Sequence, residues 1–370
     1  METAQVSDTP AAAGRLVTID ALRGFAAISV VWYHLTYGDG TFIAAGAFRA
    51  TGHYGGVAGV YSFFVISGFI IPWALHRAGY THAGFFRFLG KRMARLDPPY
   101  LASIAFLFLL DGVARRIPGF PWHLQSVTPA QLLAHLGYLN SLFGYRWLNN
   151  VYWTLGIELQ YYVLLAIIFP VAMRLPTRSR WLVPAMLVLA AWLPRPRLGG
   201  APFHDDLILK YLGVFAIGFL CFLHRTRAVD TRAFLIMLAV AGMAVWSRLD
   251  AYVAASAVGA ALVISFLTIR FRPLTWLGEF SYSLYLFHEP VRWVGFAMVR
   301  RYTTAGPIGH DVAAIAILVM AILIARGMYV LVERPSQRWA ARLKYSVTPK
   351  SGEERPWRRD TPTPTPVIAG

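Results

Sequence analysis

Apolar residues run along this chain in long blocks separated by short, polar, arginine-rich stretches. Ten blocks, near 17–37, 55–76, 99–111, 152–173, 181–193, 207–223, 233–247, 251–269, 276–298 and 312–332, reach the length that an apolar bilayer core of about 30 Å demands, the shorter three by borrowing flanking residues. The pattern predicts an all-α, polytopic membrane protein of about ten transmembrane helices. A further apolar stretch, 130–143, carries Gln131, His135 and Asn140 and is expected to be re-entrant or interfacial.

Composition agrees with the pattern. The 370 residues are 57% hydrophobic and 14% charged, whereas about a quarter of the residues of a soluble domain are charged. Abundant aromatic residues and the absence of a short period exclude a disordered or fibrous chain. A single cysteine, Cys221, excludes an internal disulfide framework and reads as a buried small hydrophobe. The net charge of +17 would suit a nucleic-acid binder, but the cations cluster between apolar blocks, as they do on the cytoplasmic side of membrane proteins. With the N-terminus inside, 22 Lys and Arg residues fall on the inner side and nine in outer loops, so both termini are expected in the cytoplasm. No basic segment precedes an apolar core within residues 1–14, so no cleaved signal peptide is expected. The expected organisation is a cytoplasmic N-terminal segment 1–14, a membrane domain 15–345 and a Pro/Thr-rich disordered cytoplasmic tail 346–370.

Ionisable groups inside such blocks cost about 2.5–3.5 kcal/mol each on insertion scales unless paired or hydrated, so they are functional candidates. In the first block Arg23 and His34 stand eleven positions apart, which places them on one helix face about 16 Å apart. Arg23 could instead pair with Asp20, and His34 could be an interfacial residue beside Trp32 and Tyr33. An imidazole is the side chain best suited to take a proton near neutral pH. Ser67 and Gly68 interrupt the aromatic run 63–69, where small residues admit either a ligand or a neighbouring helix. Arg92 and Arg95 share one side of a helical turn and could jointly grip phosphates or simply signal topology, and Pro98-Pro99 is expected to bend the chain into the next span. Glu158 lies near the expected outer face, following Trp153, and could pair with Arg292. His288-Glu289 precedes Pro290 and could stabilise a kink there.

Taken in order, these motifs resemble the acyltransferase-3 family of membrane O-acyltransferases over most of residues 16–339. The residues that carry the likeness are Arg23 with His34, Phe-Phe-x-x-Ser-Gly-Phe at 63–69, Arg-x-x-Arg at 92–95, Trp-Thr-Leu-x-x-Glu at 153–158, Ser-Tyr-Ser-Leu-Tyr-Leu-x-His at 281–288 and Glu333-Arg334-Pro335. Leu159 stands where the family usually has a second Glu, and Asp97 where an apolar residue or Tyr is more usual.

The resemblance implies an acyl-CoA-dependent transferase in the inner membrane. It would move an acyl group, most often acetyl, from cytoplasmic acyl-CoA to a hydroxyl of an exopolysaccharide, lipopolysaccharide or lipid-linked glycan, or of a small molecule such as a macrolide. The expected catalytic residues are His34, Arg23 and Glu158, with Arg92, Arg95, Ser67 and Gly68 binding acyl-CoA and Asp20, Trp153 and His288 in support. Acetyl-CoA is the expected donor substrate, with no bound cofactor and no metal. Direct attack assisted by His34 is expected, because no base adjoins Ser67 in sequence and Cys221 lies outside every motif. The rival class is a secondary transporter with an intramembrane proton relay, although no motif recurs in the second half.

Overall fold

A chain in hydrocarbon must satisfy its backbone hydrogen bonds internally, and helices do so without outside help. The computed structural model describes residues 10–37, 47–193, 197–198, 201–202, 207–302 and 307–343. Among these it is helical throughout, apart from connecting turns and a two-residue antiparallel pairing at Arg197–Leu198 and Ala201–Pro202. In chain order the helices are α1 (Pro10–Thr36), α2 (Ala47–Gly52), α3 (Gly55–Ala78), α4 (Phe85–Ala114), α5 (Pro129–Leu136), α6 (Trp153–Arg174), α7 (Leu182–Ala190), α8 (Leu212–Arg225), α9 (Thr231–Arg248) and α10 (Ala251–Phe266). They continue with α11 (Arg272–Glu279), α12 (Ser281–Tyr302), α13 (Pro307–Met328), a π-helical turn at Tyr329–Glu333, and α14 (Arg334–Arg342). The segment 1–9 and the tail 346–370 lie outside the described residues.

Each of the ten apolar blocks falls on helix. Six helical stretches, Gly55–Ala78, His82–Ala114, Asn150–Arg174, Ile208–Arg225, Thr231–Arg248 and Gly309–Arg342, are long and apolar enough to cross a membrane. The count of ten therefore exceeds what length and composition alone support. Of the remaining blocks, α7 has nine residues and α10 sixteen, while α1 and α12 carry the ionisable groups that lower their apolarity. The stretch 130–143 forms the eight-residue α5 followed by turns, about 12 Å of helix and too short to span.

Two boundaries differ from expectation, each for a local reason. Pro98-Pro99 does not end a helix, since α4 runs unbroken through both. Pro99 has no N–H to offer the Arg95 carbonyl, and the Ser336 hydroxyl of α14 donates to that oxygen instead at 3.1 Å. The block 276–298 is broken at Phe280 into α11 and α12. Glu333 takes over at the start of α12, where its Oε2 accepts from the backbone N–H of Ser283 at 3.0 Å and from the Ser283 hydroxyl at 2.6 Å. That side-chain acceptor satisfies a donor that the first helical turn leaves open.

α1 is the central strut, packed along α3, α11 and α12. Its contact with α11 depends on glycine. A Cβ on Gly24 would fall 1.9 Å from the Leu274 carbonyl oxygen, and one on Gly278 2.0 Å from that of Asp20. α3 meets α8 in the same manner through Gly68 and Gly218, beside Phe215, whose ring stacks on Phe64 at 4.9 Å and on Tyr161 at 4.2 Å. One large apolar core joins α3, α6, α8, α9 and α10, and a second joins α1, α12 and α13.

Gly68 is thus a helix-crossing residue, and it does not itself line the cavity that its neighbour Ser67 lines. A Cβ there would lie 2.4 Å from the Phe215 carbonyl oxygen and 2.9 Å from the Gly218 Cα, both rigid backbone. Gly68→Val and Gly218→Val should each cost about 1–3 kcal/mol through overpacking, lowering the thermal midpoint of the detergent-purified protein by several degrees. An unchanged melting curve for either would contradict this crossing.

Candidate functional site

The costly residues gather into two clusters, one toward each end of α1. At the Arg23 end lies a cavity of about 280 Å³. α1 contributes Asp20 and Arg23 to its wall, α3 contributes Ser67, α4 contributes Arg92 and Arg95, and α6 contributes Glu158 and Tyr162. Tyr282 and Tyr285 of α12 and Glu333 complete it. Three guanidiniums therefore face three carboxylates. Arg23 feels Arg95, Glu333, Asp20 and Glu158 together, so its surroundings are a network and not the single Asp20 pair. The Arg92 guanidinium lies 5.4 Å from the ring centres of both Phe88 and Tyr162, a placement that favours a cation over an aromatic face.

Glu158 belongs to this cavity and not to the opposite face. It accepts from the Ser67 hydroxyl at 2.7 Å and from the Tyr162 hydroxyl one helical turn away. The pairing with Arg292 considered from sequence does not occur, because Arg292 donates to Glu289 at 2.8 Å. The Ser67–Glu158 contact also supplies what the sequence lacks, a carboxylate beside Ser67.

At the other end of α1, His34 meets α12. The His34 Nδ1 lies 3.1 Å from the His288 Nε2, and the His34 Nε2 lies 3.4 Å from the Glu289 Oε1. His288 Nδ1 faces the Leu284 carbonyl at 3.1 Å. A carbonyl can only accept, so His288 carries its proton on Nδ1 and offers a lone pair at Nε2. His34 must then donate from Nδ1, and in its neutral form the lone pair lies on Nε2, beside a carboxylate that stabilises the imidazolium formed when a proton arrives. His34 retains 20% side-chain exposure, while Glu289 and Arg292 are buried. His288-Glu289 is not what satisfies the carbonyl left open by Pro290. The Leu286 carbonyl that Pro290 frees is taken by the Asn149 amide at 3.1 Å.

His34, His288 and Glu289 also bring three possible metal-ligand atoms within 4.8 Å of one another. Each imidazole already has a partner in the other, and Arg292 holds the Glu289 carboxylate through both its Nε and Nη2. A divalent cation would have to sit beside that guanidinium, so the arrangement suits proton movement better than metal ligation.

The cavity thus brings together Arg23, Asp20, Ser67, Arg92, Arg95 and Glu158, and the second cluster pairs His34 with His288. Trp153 lines neither, facing a separate cleft on the His34 side of the bundle. Reading the sequence residue by residue missed Glu289, Arg292 and Glu333 as site residues. Each had a legible sign, namely an ionisable group inside or at the end of an apolar block.

The acyltransferase domain model of one family matches residues 16–329. The chain belongs to the acyltransferase-3 family. Similar proteins include one from Komagataeibacter xylinus whose name describes a membrane-bound transacylase, BcsY, at 28% identity over 89% of each chain. Nodulation protein 10 of Rhizobium leguminosarum bv. viciae is 26% identical over 88% of this chain and 94% of its own. A protein of Acidianus two-tailed virus whose name describes an acetyltransferase is 23% identical over 73% of this chain and 81% of its own. No solved structure matches. Membership of the acyltransferase-3 family, with its apolar helices, makes this protein a multi-pass membrane acyltransferase and disfavours the transporter reading.

In this acyltransferase the Glu289–Arg292 pair is buried, so removing one partner strands a charge. Glu289→Leu should destabilise the protein by about 3–5 kcal/mol, and the double change Glu289→Leu/Arg292→Met should recover much of that. Thermal unfolding in detergent checks both, and a double variant no more stable than the single would refute the pairing.

Proposed function

We propose that this acyltransferase moves an acyl group, acetyl in the simplest case, from cytoplasmic acyl-CoA to a hydroxyl of a surface or lipid-linked carbohydrate, with His34 as general base. The protein sits in the inner membrane with both termini cytoplasmic, so the Arg23 end of α1 faces the donor and the His34 end faces the acceptor. The observation that carries this reading is the placement of the His34 ring, with Nδ1 3.1 Å from His288 Nε2 and Nε2 3.4 Å from Glu289 Oε1. An imidazole whose Nδ1 donates to His288, and whose Nε2 adjoins Glu289, is poised to accept one proton.

In the proposed reaction the acceptor O–H gives its proton to His34 Nε2 as its oxygen attacks the thioester carbonyl. The C–S bond then breaks, and the CoA thiolate leaves and takes up a proton. Arg92, Arg95 and Arg23 hold the donor phosphates, each charge-assisted contact contributing about 1.5–3 kcal/mol. The Ser67–Glu158 hydrogen bond supports a second, covalent route. In it the Ser67 hydroxyl passes its proton to Glu158, its oxygen forms an ester with the acyl carbon, and CoA leaves before the acceptor hydroxyl displaces Ser67.

Mass spectrometry of the host's surface glycans tests the reading, comparing wild type, a deletion, and the deletion carrying His34→Ala. The acyl increment should disappear in the deletion and return with the wild-type gene, while His34→Ala should lower the rate by about 10²–10⁴-fold. Full acylation by His34→Ala would refute the base assignment, and glycans unchanged by the deletion would redirect the acceptor to a small molecule. Arg92→Ala and Arg95→Ala should each weaken acetyl-CoA binding about ten- to a hundredfold, read by titration of the purified protein. Ser67→Ala separates the routes, since the direct one survives it and the covalent one does not.

A further inference from the structure

On the His34 side of the bundle, the chain between α4 and α6 builds a rigid wall. Asp111 anchors its start, accepting from Arg115 Nε at 2.7 Å and from the Leu124 backbone N–H at 2.8 Å. His135 anchors its end. Its Nδ1 donates to the Gln131 carbonyl at 2.8 Å, and its Nε2 accepts from the Leu148 N–H at 3.1 Å. Burial pushes this imidazole below the ordinary histidine range, which keeps it in the neutral form that both contacts need. Arg301 of α12 ties the wall down from outside by donating to the Gly119 carbonyl at 2.6 Å.

The wall encloses a cleft of about 780 Å³. Four indoles from three parts of the chain line it: Trp122 and Trp147 of the wall, Trp153 at the start of α6, and Trp293 of α12. Trp122 and Trp293 stack at 6.0 Å with their planes 29° apart. Hydrogen-bonding groups are interleaved with the rings, and the Arg146 guanidinium is steadied by donating to the Gln125 amide oxygen at 2.8 Å.

An aromatic belt at a lipid interface does not explain the cluster. Belt residues point outward, as Trp192 and Trp246 do at 52% and 61% exposure, whereas these four are half-buried and converge on a concavity. A ligand that suits flat apolar faces alternating with fixed donors and acceptors has the same alternation itself. Sugar rings do, with a face of C–H groups and an edge of hydroxyls. A lipid tail would leave the polar groups unmatched, and a strongly anionic ligand would need more cations than Arg146.

The cleft also shares helices with both clusters. Trp293 is four residues after Glu289 on α12, so the two share a helix face about 6 Å apart. Trp153 is followed by Thr154, which lines the arginine cavity. The cleft is thus joined to the His34 cluster through one turn of α12 and to the arginine cavity through the first residues of α6.

We propose that this tryptophan-walled cleft is the acceptor subsite and holds a neutral pyranose ring of a glycan against the indole platform that Trp122 and Trp293 form together. The proposal rests on the reading above that the acceptor is a carbohydrate. Saturation-transfer NMR on the full chain in nanodiscs tests it, with cellotetraose, maltotetraose and chitotetraose as probes. Wild type should transfer saturation to at least one of them. Trp122→Ala and Trp293→Ala should each reduce that signal about threefold or more, and Trp122→Phe should retain it. Thermal unfolding measured in parallel separates loss of the site from loss of the fold. Equal signals from wild type and both alanine variants, or no transfer to any of the three sugars, would overturn the proposal. If the sugars bind at the cleft but the host's glycans carry no acyl group that depends on this protein, the subsite stands and the reaction proposed above falls.

Discussion

Inside a bilayer a backbone carbonyl without a donor costs several kcal/mol, and the helices of this acyltransferase are interrupted by prolines that create such carbonyls. Pro72 frees the Gly68 oxygen, Pro99 that of Arg95, Pro170 that of Ala166 and Pro290 that of Leu286, each four residues earlier. A side chain from another element reaches each of these four carbonyls. Tyr161 approaches Gly68 at 3.5 Å, Ser336 reaches Arg95 at 3.1 Å, Tyr80 reaches Ala166 at 3.1 Å and Asn149 reaches Leu286 at 3.1 Å. These contacts pin α6 to α3, α14 to α4 and the wall of the cleft to α12. The irregularities that a membrane helix should avoid are thereby turned into joints, and they hold the candidate site residues in register.

One consequence is that α1 can carry two chemistries without distortion. Its Arg23 half is locked to α11 through Gly24 and Gly278, and its His34 half meets α12 just before the Pro290 joint. The clusters differ in charge economy. Around Arg23 three guanidiniums and three carboxylates share a cavity that remains open to a ligand. Around His34 the buried ion pair Glu289–Arg292 sets the field for the His34–His288 pair. Glu333 links the two through α12, capping its first turn at Ser283 while facing Arg23. A change at the start of α12 would therefore be felt at both sites.

The sequence by itself determined everything that a helix's own periodicity carries: the apolar blocks, the separation of Arg23 and His34 on one face, Arg92 and Arg95 on one turn, and the family. These relations are local, or accumulate along the chain, so they survive without knowledge of neighbours. Only the tertiary structure decided partners. Glu158 joined Ser67 and Tyr162 instead of Arg292, Gly68 became a crossing point with Gly218, and Trp153 turned toward the cleft. Pro98-Pro99 stayed inside one continuous helix, where Ser336, more than 200 residues away, supplies a hydrogen bond to the carbonyl that Pro99 frees. The physical reason is common to all of these: in an apolar medium each polar group takes whichever complementary group packing brings within 3 Å or so, and which group that is depends on how helices cross, a property no stretch of sequence holds alone.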